Sequence, residues 1–171
     1  MKINQIKTRS AFTLVEMLAV IAILAVLAGF GFGTYFLVNK NAKITQAQVM
    51  INNLSASLEA RAIQTKTPYP EGDGSDSSSN ELYRFLSGDL DGSGQVDDDE
   101  KPAFPQIDPE YDGKGKYLNK SLLIIDAWAT PIRYAYNEEG DGLNNNVEDG
   151  FDIWSAGPDK EFGNEDDVNN W

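Results

Sequence analysis

The sequence predicts an α+β protein, a long N-terminal helix packed on a small antiparallel sheet. Three observations carry that expectation. Phe12 to Val38 is a run of 27 residues in which Glu16 is the only charge. Beyond it, Ile44, Ala47, Ile51, Leu54, Leu58 and Ala62 recur at three- and four-residue spacing and form one apolar stripe. After residue 120 come three short segments with the composition of strands.

The first run is long enough to be a membrane span. As a helix it covers about 40 Å at roughly 1.5 Å per residue, against about 30 Å of hydrocarbon. It exceeds the apolar core of a secretory signal peptide, and no A-x-A site ends it. Lys2, Lys7 and Arg9 ahead of it favour a cytoplasmic N-terminus, while Lys40 and Lys43 on the far flank pull the other way. No proline interrupts residues 12–67, so one helix is expected to continue from the membrane-spanning half into the amphipathic half. Gly29, Gly31 and Gly33 are its weak points, each costing about 1 kcal/mol in a helix interior. Two readings of them stay open: close packing against other helices, or a segment built to bend or unwind.

The sequence "TPYPEGDGSDSSSN" (67–80) breaks the helix and begins a polar loop. "ELYRFLSG" (81–88) reads as a short helix closed by Gly88, and Pro102–Lys120 as irregular chain. "SLLIID" (121–126) reads as a buried strand. "PIRYAYN" (131–137) places Ile132, Tyr134 and Tyr136 on one face, and "GFDIWS" (150–155) does the same with Phe151 and Ile153. The expected division is a leader at 1–11, a membrane segment at 12–38, an amphipathic continuation at 39–66 and a head at 67–171.

The chain carries a formal net charge of −13. Without Lys2, Lys7 and Arg9, 11 basic residues face 27 acidic ones, and the balance is −16. A nucleic-acid partner is not expected, because phosphate binding needs a basic face. Nor is catalysis: there is no His, no Cys and no Ser with a visible base partner. With no disulfide available, a small exported head needs another staple, and bound metal is one candidate. "DLDGSGQVDDDE" (89–100) fits the EF-hand calcium-loop template. Asp89, Asp91 and Ser93 hold positions 1, 3 and 5, and Gly94 allows the sharp turn. Gln95 offers its carbonyl, Asp97 stands at position 9, and Glu100 closes the loop as a bidentate ligand. Pro102 and Pro105 exclude the exit helix of a paired EF-hand, so a structural Ca²⁺ is expected rather than a sensor. "NEEGDGLNNNVEDG" (137–150) fits no ligand template and reads as a solvated loop.

A short basic leader followed by "FTLVEMLAVIAILAVL" closely resembles the class III signal of type IV pilins and type II secretion pseudopilins. The resemblance implies that a prepilin peptidase cuts between Ala11 and Phe12 on the cytoplasmic side and methylates the new amine. The family's peptidase prefers Gly where this chain has Ala11. Glu16 then becomes residue five of the mature chain, and the resemblance implies that it pairs with the amine of a neighbouring subunit during assembly. Gly33 stands where many relatives have a helix-kinking proline.

"FDIWSAGPDKEFGNEDDVNNW" (151–171) resembles the C-terminus of the major pseudopilin, where a strand ending in Ser-x-Gly leads into a calcium loop. Carried over by position, Asp159, Asp166 and Asp167 would supply carboxylates, and Ala156 and Asn164 backbone carbonyls, within a loop at 155–167. "DAWATPIRYAY" (126–136) matches the preceding segment, with Ala127 and Ala129 in place of the usual Pro and Gly. The implied function is a pseudopilin, a non-enzymatic subunit of a filament that moves secreted proteins across the outer membrane. Its implied partners are copies of itself, the peptidase, other pseudopilins, the inner-membrane secretion platform and membrane lipid. It would sit in the inner membrane as a single-pass protein, with the head periplasmic or extracellular. Two alternatives stay open: a type IV pilin of a surface fibre for adhesion, motility or DNA uptake, and a membrane-anchored calcium-binding protein that never polymerises.

Overall fold

Free of proline from residue 12 to residue 67, the chain winds into one unbroken helix, α1, over Leu14–Thr65. The computed structural model describes residues 12–96, 102–103, 105–113, 116–136, 146–147 and 150–171, with no side chains at 30–34. By its internal contacts the chain divides into two units, one ending at Asn39 and one comprising Lys40–Trp171.

Among the described side chains of the first unit, α1 has no polar face. Leu14, Ile21, Ile23, Leu27 and Phe36 are between 57% and 75% exposed, and they point to all sides of the helix. Among the described residues no helix is long and apolar enough to cross a membrane. The described side chains here fall into two runs, on either side of residues 30–34. The backbone stays helical through Gly29, Gly31 and Gly33.

The second unit is built on the amphipathic half of α1. Ala47, Met50, Ile51, Leu54 and Leu58 are at most 1% exposed, and Ile44 packs at the edge of the same core. Met50 is a member of the stripe that spacing alone did not single out. Against it lies a four-stranded antiparallel sheet in the order β1 (Gly72–Asp73), β2 (Arg133–Tyr136), β3 (Asp152–Ser155), β4 (Val168–Asn169). The register pairs Gly72 with Tyr136, Tyr134 with Ile153, and Ser155 with Val168. Ile132, Tyr134, Phe151, Ile153 and Val168 face the core. Helix α2 (Ser78–Ser87) adds Leu82, Tyr83 and Leu86, and ends at Gly88 in the left-handed conformation with φ 85°. A single 3₁₀ turn at Pro105–Ile107 buries Ile107.

Two expectations need correction. Residues 121–126 form no strand of the sheet. Asn119 Oδ1 accepts the N–H groups of Ser121 and Leu123, and Leu122 takes a positive φ of 57°. Side-chain turn chemistry at Asn119 overrides the apolar run and leaves only isolated bridges, Leu118 with Ile124 and Ile125 with Pro131. The loop at 67–80 holds edge strand β1 and the first turn of α2, whose three extra residues Ser78, Ser79 and Asn80 bond outward. Ser79 Oγ donates to the Ile124 carbonyl at 3.0 Å, and Asn80 to the Leu122 carbonyl at 3.1 Å.

Gly72 sits where a side chain has no room. A Cβ there would press into the Tyr134 ring and lie 2.8 Å from its carbonyl oxygen. Gly72→Ala should therefore destabilise a soluble fragment beginning at residue 39 by about 1–3 kcal/mol. A urea denaturation midpoint equal to that of the parent fragment would contradict the packing described.

Candidate functional sites at the helix start and in the acidic loops

At the start of α1 the sequence Thr-Leu-Val-Glu closes a capping box. The Thr13 N–H and hydroxyl both donate to Glu16 Oε2, at 2.8 and 2.9 Å, and the Glu16 N–H returns to Thr13 Oγ1 at 3.3 Å. Both bonds from Thr13 fall on one carboxylate oxygen. Hydropathy and charge alone do not mark Thr13, although its signal, Thr three residues ahead of Glu, is present in the sequence. Phe12 is exposed beside it, and Ala11 lies outside the described residues.

The first acidic loop winds around Asp89, which is 2% exposed. Its Oδ1 accepts from the Ser93 N–H at 2.9 Å, and its Oδ2 from the Tyr83 hydroxyl and the Gly94 N–H, both at 2.8 Å. Burial and the bond to Asp89 push the Tyr83 hydroxyl well above the ordinary tyrosine range. Asp91 accepts a second bond from the Ser93 N–H, and this holds its carboxyl below the usual range. Gly92 and Gly94 both take left-handed φ values, 70° and 79°. Gln95 follows, with its N–H on Ser93 Oγ at 3.3 Å. Asp97 and Glu100 lie outside the described residues.

The C-terminal loop grows out of β3 and returns as β4. Gly157 has φ 66°, and a Cβ on it would collide with the Asp166 carbonyl, so the two ends of the loop touch only because this residue is glycine. Asp159 accepts from the Glu161 N–H at 2.8 Å and from the Asn164 side-chain amide at 3.0 Å. Asn164 Oδ1 accepts from the Asp166 N–H, and the Asn164 carbonyl lies 3.4 Å from the Asp167 N–H. Asp167 Oδ2 accepts from Gly163, whereas its Oδ1 is enclosed and has no hydrogen-bond partner among the described residues. Ala156 is fully buried at the loop's root. The loop thus brings Asp159, Asn164 and Asp167 into one hydrogen-bonded turn. Among the described residues no three acidic side chains gather into a group able to hold a metal.

What ties this loop to the rest is Asp126, which spacing alone did not mark. It is 5% exposed; its Oδ1 accepts the N–H groups of Trp128 and Thr130, and its Oδ2 accepts the Ser155 hydroxyl at 2.6 Å. Ser155 Oγ in turn accepts the Gly157 N–H at 3.1 Å. On the outer side, the Arg133 guanidinium lies 3.6 Å from the centre of the Phe162 ring and bonds Asp76 at 2.9 Å. Within the stretch 137–150, Asn146 and Val147 donate to buried Asp152; residues 137–145 and 148–149 lie outside the described residues.

Residues 6–32 match the prokaryotic N-terminal methylation motif. That motif is the class III signal of type IV pilin-like proteins, and the match supports a place for this chain in the pilin-like superfamily. The long helix on a small antiparallel sheet is consistent with a pilin fold. No curated protein and no solved structure matches the chain significantly.

Ala129 adopts φ 63°, the left-handed conformation that favours glycine. The turn is kept, at a steric cost that glycine avoids. Ala129→Gly should stabilise the same soluble fragment by about 0.5–1 kcal/mol after glycine's extra chain entropy is subtracted. Calorimetry should show a melting temperature a few degrees higher, and a lower one would refute the assigned backbone.

Proposed function

We propose that this chain is a pseudopilin, a subunit that polymerises through its N-terminal helix into a filament serving protein secretion across the outer membrane. The observation that carries the reading is the methylation motif at residues 6–32 ending in a helix whose apolar side chains are exposed on every side. Such a surface is tolerated only in lipid or against other apolar helices. The segment 12–38 is then the single membrane span of an inner-membrane precursor, and the same surface packs against neighbouring subunits in the filament. The same motif would serve a surface fibre. The absence of cysteine, together with a C-terminus resembling the calcium loop of the major pseudopilin, favours secretion.

Cleavage between Ala11 and Phe12 by a prepilin peptidase would leave a methylated ammonium on Phe12. In surroundings of low dielectric an unpaired carboxylate is costly and a paired one much less so. Glu16, held by Thr13 through one oxygen, offers the other to the Phe12 amine of a neighbouring subunit. Assembly then proceeds in the register that neutralises both charges. Glu16→Gln separates this role from capping, since Gln still accepts from Thr13 but carries no charge. Intact mass should show loss of residues 1–11 and gain of one methyl in both proteins, with filaments from the parent only. Filaments from Glu16→Gln would sink the pairing role, and an uncut parent would sink the pilin-like reading itself.

Calcium is the proposed staple. In the C-terminal loop the enclosed, unpartnered Oδ1 of Asp167 supports a cation there. Asp159, Asp166 and Asp167, with the carbonyls of Ala156 and Asn164, are the groups that would hold it. At 89–100 the proposal rests on the template, with Asp89, Asp91, Ser93, Gln95, Asp97 and Glu100 as ligands. A bound Ca²⁺ would supply hard positive charge that offsets carboxylate repulsion and ties the loop ends together. Metal that binds only the folded form stabilises it by about 2.7 kcal/mol at a hundredfold excess over Kd. A soluble fragment from residue 39 should melt several degrees higher in millimolar Ca²⁺ than in chelator, and Mg²⁺ should substitute poorly. The double change Asp166→Ala, Asp167→Ala should remove most of the shift and Glu100→Ala a smaller part. Equal melting in Ca²⁺ and chelator would remove calcium from the account.

A further inference from the structure

We propose that Asp126 and Ser155 are positioning residues of the C-terminal loop and set its affinity for Ca²⁺, an inference that rests on the calcium reading above. Ser155 closes β3, is fully buried, and pairs across the sheet with Val168, the neighbour of Asp167. Its hydroxyl has two partners: it donates to Asp126 Oδ2 at 2.6 Å and accepts the Gly157 N–H at 3.1 Å. The bonds run one way, from the backbone N–H through the hydroxyl to the carboxylate, and in such chains each bond strengthens the next. A hydroxyl on an ionised carboxylate makes one of the stronger hydrogen bonds in proteins. The turn at 127–130 uses only Asp126 Oδ1, which takes the N–H groups of Trp128 and Thr130. A neutral Asn would hold that turn equally well. A buried charge is costly, and what it adds here is a second acceptor oxygen, given to the root of the loop.

The oxygens assigned to the cation sit on both arms of that loop. Ala156 and Asp159 leave from β3, while Asn164, Asp166 and Asp167 return toward β4. Two observations at the root fit a bound ion. Asp167 Oδ1 is enclosed without a hydrogen-bond partner among the described residues, and the Asp166 carbonyl fills the space that a Cβ on Gly157 would need. Strand β4 is only two residues long, so its ladder bonds hold the returning arm weakly. The grip comes from Ser155, which fixes the outgoing arm at Gly157, where that arm touches Asp166. Without the hydroxyl two buried groups lose these partners, the Gly157 N–H and Asp126 Oδ2. The spacing of the two arms is then no longer held, and groups that orient metal ligands in this way typically change affinity about 10–100-fold when removed. Thr is the conservative substitute, because its hydroxyl also donates and accepts.

The test titrates Ca²⁺ by calorimetry into the full-length protein in detergent micelles, stripped of metal by chelator. Glu100→Ala serves as the reference protein, so that the first acidic loop does not contribute. Adding Asp166→Ala and Asp167→Ala should abolish the heat, which assigns it to the C-terminal loop. Ser155→Ala should raise Kd about 10–100-fold over the reference, and Ser155→Thr should return it to within about threefold. A merely structural role would lower the melting temperature in chelator but leave Kd unchanged in protein that circular dichroism shows to be folded. Where Ser155→Ala does not fold, Asp126→Asn takes its place: Asn still accepts from Trp128 and Thr130, but its amide group cannot accept the Ser155 hydroxyl. The same rise in Kd is expected. An unchanged Kd in whichever of these two variants is folded would overturn the positioning role and leave calcium in the loop. No heat from the reference protein, or heat that survives loss of Asp166 and Asp167, would overturn the calcium reading of this loop and the positioning role together.

Discussion

The head depends on the burial of one side of α1. Strands of two and four residues cannot hold a sheet together by their own hydrogen bonds, since short isolated strand pairs are marginal in water. Met50, Ile51, Leu54 and Leu58 supply the missing face, each contributing about 1.5–3 kcal/mol when fully buried. Tyr134, Ile153 and Val168 then have an apolar surface to meet, and the register of all three strand pairs follows from which residues must face it. Remove the stripe and the sheet has nothing to close against.

Upstream of residue 40 the same helix obeys a different rule. Its described side chains are apolar on every side of the helix and exposed. One charge interrupts that surface, at the first turn. Glu16 is bound to Thr13 through a single oxygen, which steadies the helix start while leaving half of the carboxylate for another donor. Local capping and intermolecular pairing are therefore compatible uses of one side chain, because a carboxylate has two oxygens.

Polar groups decide how the sheet is joined to its loops. Asp126 fixes the turn at 127–130 and, through Ser155, the root of the C-terminal loop at Gly157. Asp152 fixes the chain at Asn146 and Val147, and Asn170 brackets β3 by accepting from Ile153 and donating to Phe151. Each of these bonds joins residues close in space across strands or turns, and each buried acid has its donors. Asp167 Oδ1 stands in contrast, enclosed and without a hydrogen-bond donor among the described residues.

Periodicity was sufficient for the parts of this protein where one physical demand acts along the chain. The apolar run, the stripe from Ile44 to Leu58, the faces of β2 and β3 and the closing Gly88 all followed from spacing, because burial repeats with the period of the element. The methylation motif was legible by resemblance rather than by period, because its residues are contiguous. Tertiary structure decided the rest. The apolar segment at 121–126 became a turn because Asn119 captured two N–H groups, an effect of one side chain that no period reveals. Strands β1 and β4, two residues each, exist only because β2 and β3 offer open edges. The pairing of Asp126 with Ser155 spans 29 residues, and that of Gln48 with the Asn169 carbonyl spans 121. Contacts at that range are settled by how the core packs, and only the folded chain contains that information.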